Sequence, residues 1–248
     1  LELGGKSPCV ITRDCDLELA ATRLAFGKWL NVGQTCIAPD YVLCDESVHD
    51  RFVELFKAEV AKMYGKDALV NPNYGKIVNR KHYERVRGLI DEDKVVYGGR
   101  SDDKALRIEP TIMVGVTDDD AVMGEEIFGP LCPILKVSGP KEAEDFIKAH
   151  EKPLALYLFS NDRALQERFM RHVPFGGGCI NDTIVHIATS KMGFGGVGNS
   201  GMGSYHGHKS FETFSHTKSV LKKGRLDLPM RYQPYSNGKA KLIRMFLK

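Results

Sequence analysis

The chain has 248 residues, 42% of them hydrophobic and 27% charged, with a formal net charge of +3. That size suits one large core, or one core with a smaller appendage, and the slight basic excess forms no dense lysine or arginine cluster, which excludes a nucleic-acid partner. No apolar run approaches the roughly 20 residues that span a bilayer, and the N-terminus lacks a basic segment followed by an apolar one, so the body is expected to be soluble.

Cys9-Val10-Ile11-Thr12 reads as a first strand. Asp14 to Asp16 offer N-caps for a helix to about Leu30, with Leu17, Ala20, Ala21 and Leu24 at three-and-four spacing. Residues 41–44 form a second strand, and an amphipathic helix runs from Ser47 to about Met63. After Asn71-Pro72-Asn73-Tyr74-Gly75 a helix is expected from Arg80 to about Asp91, then a short strand and turn at 94–99. Strands follow at 110–116 and 132–137, a helix at 141–150, a strand at 155–159, a helix at 162–171 and a strand at 179–181. This alternation predicts an α/β fold with a mainly parallel sheet and crossover helices. Beyond Phe175 the chain is glycine-rich, giving a loop-rich C-terminal section and tail.

Six cysteines occur without disulfide-scaffold or metal-knuckle spacing, which points to reduced thiols and an intracellular, cytoplasmic setting. Cys9, Cys44, Cys132 and Cys179 lie in or beside apolar stretches and read as buried. Cys36 is different: it sits in the polar run Gly33-Gln34-Thr35-Cys36-Ile37-Ala38-Pro39 and looks presented. With Glu2 ahead of two glycines, it suggests a nucleophile and an acid for acyl chemistry. The histidines His206, His208 and His216 have no metal-ligand pattern, so no metal is assigned.

Gly196-Val197-Gly198-Asn199-Ser200-Gly201 has the letters of a dinucleotide fingerprint, but no strand leads into it and no apolar helix leaves it. A compact loop shaped around something else is the better reading. Glu126 and Phe128 could bind sugar hydroxyls and lie against a flat ring, and they could equally be a helix-capping acid and a core aromatic. Asn181, Asp182 and His186 are candidate polar liners of a site, with ordinary structural roles as the alternative.

Four segments in order, Leu1-Glu2-Leu3-Gly4-Gly5-Lys6, Gly33-Gln34-Thr35-Cys36, Glu126-Ile127-Phe128-Gly129-Pro130 and Phe194-Gly195-Gly196-Val197-Gly198-Asn199-Ser200-Gly201-Met202-Gly203, strongly resemble the aldehyde dehydrogenase superfamily. Gly203-Ser204-Tyr205-His206-Gly207 and Phe211-Glu212-Thr213-Phe214-Ser215-His216 resemble its class 3 branch, which acts on fatty and aromatic aldehydes. Met192-Gly193-Phe194 departs from the proline that usually precedes that phenylalanine.

The resemblance implies that Cys36 is the nucleophile and Glu2 the general base, that Glu126 holds the nicotinamide ribose of NAD or NADP, and that Phe128 lies beside it. Lys6, Asn181 and Phe194 are implied to line the site. It implies a catalytic domain over residues 1–207 and an oligomerisation strand and tail over 208–248, with the strand near 211–220 and a homodimer as the assembly. The cofactor-binding domain and one oxyanion donor would precede Leu1, so the chain reads as a catalytic fragment, impaired or inactive alone. The implied reaction oxidises an aliphatic or aromatic aldehyde to a carboxylic acid through a cysteine thioester. A cysteine-dependent esterase and a non-catalytic oligomerisation module stay open as alternatives. The basic and apolar tail 238–248 could touch an anionic membrane surface.

Overall fold

The structure, a computed structural model, describes residues 1–246. Its first unit, Leu1–Phe214, is built on a seven-stranded sheet. The strands in chain order are β1 (Pro8–Ile11), β2 (Tyr41–Asp45), β3 (Val95–Tyr97), β6 (Thr111–Val114), β7 (Leu131–Val137), β8 (Ala155–Phe159) and β9 (Gly177–Ile180). They lie in the spatial order β3-β6-β7-β2-β1-β8-β9, parallel throughout except for the antiparallel β3–β6 pair. A separate two-stranded hairpin joins β4 (Ser101–Asp102) and β5 (Arg107–Ile108). It was not legible beforehand, because two-residue polar strands have no periodicity to read.

Parallel strands covered on both faces read as continuous apolar runs, and β1, β2 and β8 are buried at every position. Their side chains alternate between two cores. Cys9, Ile11, Val42, Cys44, Tyr157 and Phe159 meet α1 (Leu17–Trp29) and α2 (His49–Tyr64). Val10, Leu43, Leu156 and Leu158 meet α3 (Arg80–Arg87), α4 (Pro140–Ala149) and α5 (Arg163–His172) on the other face. The Asp16 carboxylate caps α1 by accepting from Leu19 N at 3.0 Å, and Asn79 and Asp162 cap α3 and α5 in the same way.

Two expectations need correction. The helix at Arg80 stops at Arg87 rather than Asp91, because Gly88 closes it and Glu92–Lys94 starts a separate 3₁₀ turn. Cys179 is half-buried rather than buried, since β9 lies at the edge of the sheet. The strand implied near 211–220 is one that would pair with a second subunit; within the chain α6 (Gly207–Thr213) occupies its start, and 215–220 join no ladder. The first compact unit continues past Gly207 to Phe214. The reason is that α6 stays fastened to the first unit, with Thr213 Oγ1 donating to Ser204 O at 2.9 Å.

The second unit, Ser215–Lys248, contains a 3₁₀ turn at Pro229–Arg231 and α7 (Asn237–Phe246). Leu247 and Lys248, the end of the expected tail, lie outside the described residues.

Trp29 closes α1 at 1% exposure, its ring tilted against Phe56 at 4.9 Å, with Nε1 donating to Pro130 O at 2.9 Å. Trp29→Ala removes both the ring and that bond, and should cost about 3–5 kcal/mol in urea unfolding.

Candidate active site

The strand order brings distant motifs together. Glu2–Lys6 leads into β1, Cys36–Asp40 into β2 and Glu126–Pro130 into β7, and these three strands are parallel neighbours. The three entry loops therefore stand side by side at the amino ends of the strands.

After α1 the backbone enters the left-handed region at Asn31 (φ 52°), Val32 (φ 61°) and Gly33 (φ 72°). A non-glycine residue pays roughly 1–2 kcal/mol there. Gly33 has no alternative, because a Cβ would sit 2.2 Å from Gly129 O. That contact seats the cysteine loop directly on the Glu126–Pro130 loop. Cys36 itself is half-buried. Burial pushes its thiol up to about 12, reinforced by the hydrogen bond it donates to the Glu2 carboxylate and by the charges of Glu2 and Glu126. The thiol is thus protonated at neutral pH.

Glu2 is held by the glycine-rich segment. Leu3 N donates to Ser200 O and Met202 N to Leu1 O, each at 2.9 Å, so residues 200–202 form a rung against Leu1–Leu3. The loop with the fingerprint letters is shaped around the backbone that carries Glu2. Tyr205 Oη donates to Glu2 Oε2 at 2.9 Å, and that bond raises the Tyr205 hydroxyl. Phe194 is buried and bridges to Tyr205 through Phe194 N to Tyr205 O at 2.8 Å and its reciprocal at 2.9 Å. Its ring lies 5.8 Å from both Tyr205 and His206. Phe194 therefore joins the site through Tyr205.

Glu126 rests against the Gly4-Gly5 turn. Gly4, at φ +84°, must be glycine, since a Cβ would lie 2.7 Å from Glu126 Oε2. Burial raises the Glu126 carboxyl to about 7; the Gly5 amide bonded to it pulls the other way, Asp40 adds to the rise, and Lys6 and Arg85 oppose it. A carboxylate bonded to one amide retains acceptor capacity for neighbouring hydroxyls. Phe128, two residues on, takes φ 45° and is 39% exposed. This donor-accepting, flat-faced corner fits a nicotinamide riboside.

Lys6 lines a pocket beside Gly5 and Glu126 while its charged end is tied down. Its ammonium donates to Asp40 Oδ2 at 2.5 Å, Val122 O at 2.9 Å and Glu125 O at 2.8 Å, while Asp40 Oδ1 accepts from Ile127 N at 2.9 Å. Arg85 adds bonds to Glu126 O at 3.3 Å and Ile127 O at 2.6 Å. Asn181 is not brought to the cysteine at all. It lies past the carboxyl end of β9, where Oδ1 accepts from Ser160 N at 2.9 Å and Nδ2 donates to Ser160 O at 3.0 Å. Asp182 stays there too, paired with Arg23 at 3.9 Å. His186 is half-buried beside Cys179, with Nδ1 3.5 Å from its sulfur, and burial lowers the imidazole.

Asp40, Arg85 and Tyr205 were missed in the sequence. Asp40 left a signal: an acid directly before an apolar strand, where a solvated charge has no reason to be. Arg85 and Tyr205 left none, because their partners are 40 and 203 residues away.

A family model described as the aldehyde dehydrogenase family matches residues 1–220. The chain is 50% identical over 244 residues to the dimeric NADP-preferring aldehyde dehydrogenase of Rattus norvegicus, covering 98% of this chain and 54% of the relative. It is 47% identical over 251 residues to the 4,4'-diaponeurosporen-aldehyde dehydrogenase of Staphylococcus aureus (strain NCTC 8325 / PS 47), covering 100% and 54%. Among solved structures it superposes on the substrate-bound state of Staphylococcus aureus AldH with a TM-score of 0.92 and 46% identity, over 100% of this chain and 55% of that one. An NAD-dependent aldehyde dehydrogenase from Sinorhizobium meliloti gives a TM-score of 0.82 and 30% identity over 92% and 47%. The chain spans about half the length of the curated relatives it matches.

Because Glu2 raises the Cys36 thiol both by its hydrogen bond and by its charge, Glu2→Gln should lower the pH midpoint of Cys36 alkylation by iodoacetamide. The midpoint should stay above that of an ordinary cysteine, since burial, the largest cause, remains. Mass spectrometry of the Cys36 peptide across pH measures it.

Proposed function

The chain belongs to the aldehyde dehydrogenase family, and we propose that it carries the covalent chemistry of NAD(P)-dependent aldehyde oxidation to a carboxylic acid. The observation that carries this reading is the half-buried Cys36 thiol, raised by the neighbouring Glu2 carboxylate, where three entry loops of parallel neighbouring strands converge.

In this reading the Cys36 sulfur adds to the aldehyde carbonyl carbon while its proton passes to Glu2, giving a thiohemiacetal. The Cys36 amide supplies one donor to the developing oxyanion. When bound, the nicotinamide supplies the hydride acceptor that turns this adduct into a thioester. Glu126 would hold the ribose hydroxyls, and Phe128 would flank the ring. Glu2 releases the first proton to solvent and then takes a proton from water, which attacks the thioester, expels the Cys36 thiolate and releases the acid. Tyr205 keeps the Glu2 carboxylate oriented through both transfers.

The dimeric state and NADP preference in the name of the rat relative are carried over as proposals, as are aliphatic or aromatic aldehydes as substrates. The second unit supports a peripheral membrane contact. It holds nine lysines and arginines against one aspartate, and Val220, Leu221, Leu226 and Met245 are exposed. Such a mixture suits anionic lipid.

Acyl transfer can be tested apart from redox chemistry. Hydrolysis of an activated ester such as p-nitrophenyl acetate, without nicotinamide, should vanish in Cys36→Ser and fall about 10²–10⁴-fold in Glu2→Gln. Full ester turnover in Cys36→Ser would sink the assignment. A preparation limited to these 248 residues should form no appreciable NADH or NADPH from NAD(P) and aldehyde.

For the membrane contact, the protein should sediment with vesicles containing phosphatidylserine and leave them as salt rises. Equal recovery with neutral phosphatidylcholine vesicles would reject an electrostatic contact.

A further inference from the structure

Val32 is the most strained residue near the cysteine. A buried, β-branched side chain at φ 61° and ψ 29° is an outlier, and it stands between two further left-handed residues, Asn31 and Gly33. Such a backbone persists only where its surroundings over-determine it. The neighbouring Gln34 amide does this. Its Nε2 donates to Asn31 O at 3.2 Å and to Lys76 O at 3.0 Å, and its Oε1 accepts from Val78 N at 2.9 Å. Asn31 Nδ2 returns a bond to Gln34 O at 3.0 Å. One planar amide thus closes the left-handed turn on itself and staples it to the 76–78 segment. Beyond Cys36, Tyr157 Oη donates to Ile37 O at 2.6 Å and fixes the loop from the sheet side.

We propose that Gln34 is a positioning residue: by holding the left-handed turn at 31–33 it aims the Cys36 sulfur at the Glu2 carboxylate. This rests on the reading of Cys36 as the nucleophile. Gln34 touches neither reacting atoms nor cofactor corner, and acts only through the direction of the chain entering Cys36. Neither an alanine nor a glutamate can reproduce it. Alanine has no amide, and glutamate keeps the acceptor for Val78 N but turns an oxygen toward two carbonyls.

The test uses Gln34→Ala and Gln34→Glu in the intact protein. Both should lower kcat for p-nitrophenyl acetate hydrolysis by about 10²-fold, the cost typical of a misplaced reacting group, with KM for the ester little changed. The pH midpoint of Cys36 alkylation should fall, as the sulfur leaves Glu2. The decisive measurement is rescue. Val32→Gly added to Gln34→Ala should restore kcat and the alkylation midpoint, because glycine enters the left-handed region without cost. Val32→Ala removes the same methyl groups, keeps a Cβ, and should not rescue.

Unchanged kcat and midpoint in both Gln34 variants, or equal rescue by alanine and glycine at position 32, would overturn the proposal. If Gln34→Ala fails to fold, Gln34→Glu, close in volume, carries the same measurements and the same rescue pair. Failure of the underlying reading shows itself separately: Cys36→Ser would then retain turnover, while alkylation of Cys36 would still report where its sulfur points.

Discussion

The site depends on one ion pair set where three loops meet. Lys6 belongs to the loop before β1, Asp40 to the loop before β2, and their joint partners, Val122 O, Glu125 O and Ile127 N, to the approach to β7. Their side chains retain 17% and 5% exposure. Taking two charges this far out of water is costly, and the attraction offsets that cost only when the remaining donors and acceptors are satisfied. Here they are satisfied by backbone groups of the third loop. The pair is therefore less a source of net stability than a device for register. It fixes the loop of Glu2, the loop of Cys36 and the loop of Glu126 at one mutual spacing.

Around that fixed point the backbone is bent into unfavourable conformations. Asn31, Val32, Phe128 and His206 all have positive φ, and each lies within a loop that touches the cysteine, the Glu126 corner or the Phe194–Tyr205 bridge. The regular sheet supplies rigidity, and the loops spend part of it on directing side chains. Close backbone contacts at Gly33 and Gly4 serve the same end. Glu126 shows the electrostatic consequence. Burial outweighs the Gly5 amide and raises its carboxyl, and a ligand offering hydroxyl donors meets a carboxyl that is not locked into a salt bridge.

Much of this was legible in the residues. The buried strands announced themselves as continuous apolar runs, and their alternation with helices implied parallel pairing. Cys36 stood out because its neighbours are polar where the other strand cysteines have apolar ones, and the structure places its thiol against Glu2. What could not be read was anything fixed by the third dimension. Lys6 and Asn181 sit in segments that suggest a site, yet Lys6 clamps loops and Asn181 binds Ser160 at the far end of the strands. Tyr205, which touches Glu2, carries no local pattern. Periodicity reports burial and a motif reports kinship, but neither reports which end of a sheet a side chain occupies.

The rung between Leu1–Leu3 and residues 200–202 has a consequence for biosynthesis. Glu2 leaves the ribosome among the first of these residues, whereas the segment that seats it and the tyrosine that orients it are made some 200 positions later. Closing so long a loop comes late in folding. Until translation has passed Tyr205, a nascent chain thus carries its cysteine with the Glu2 carboxylate unseated.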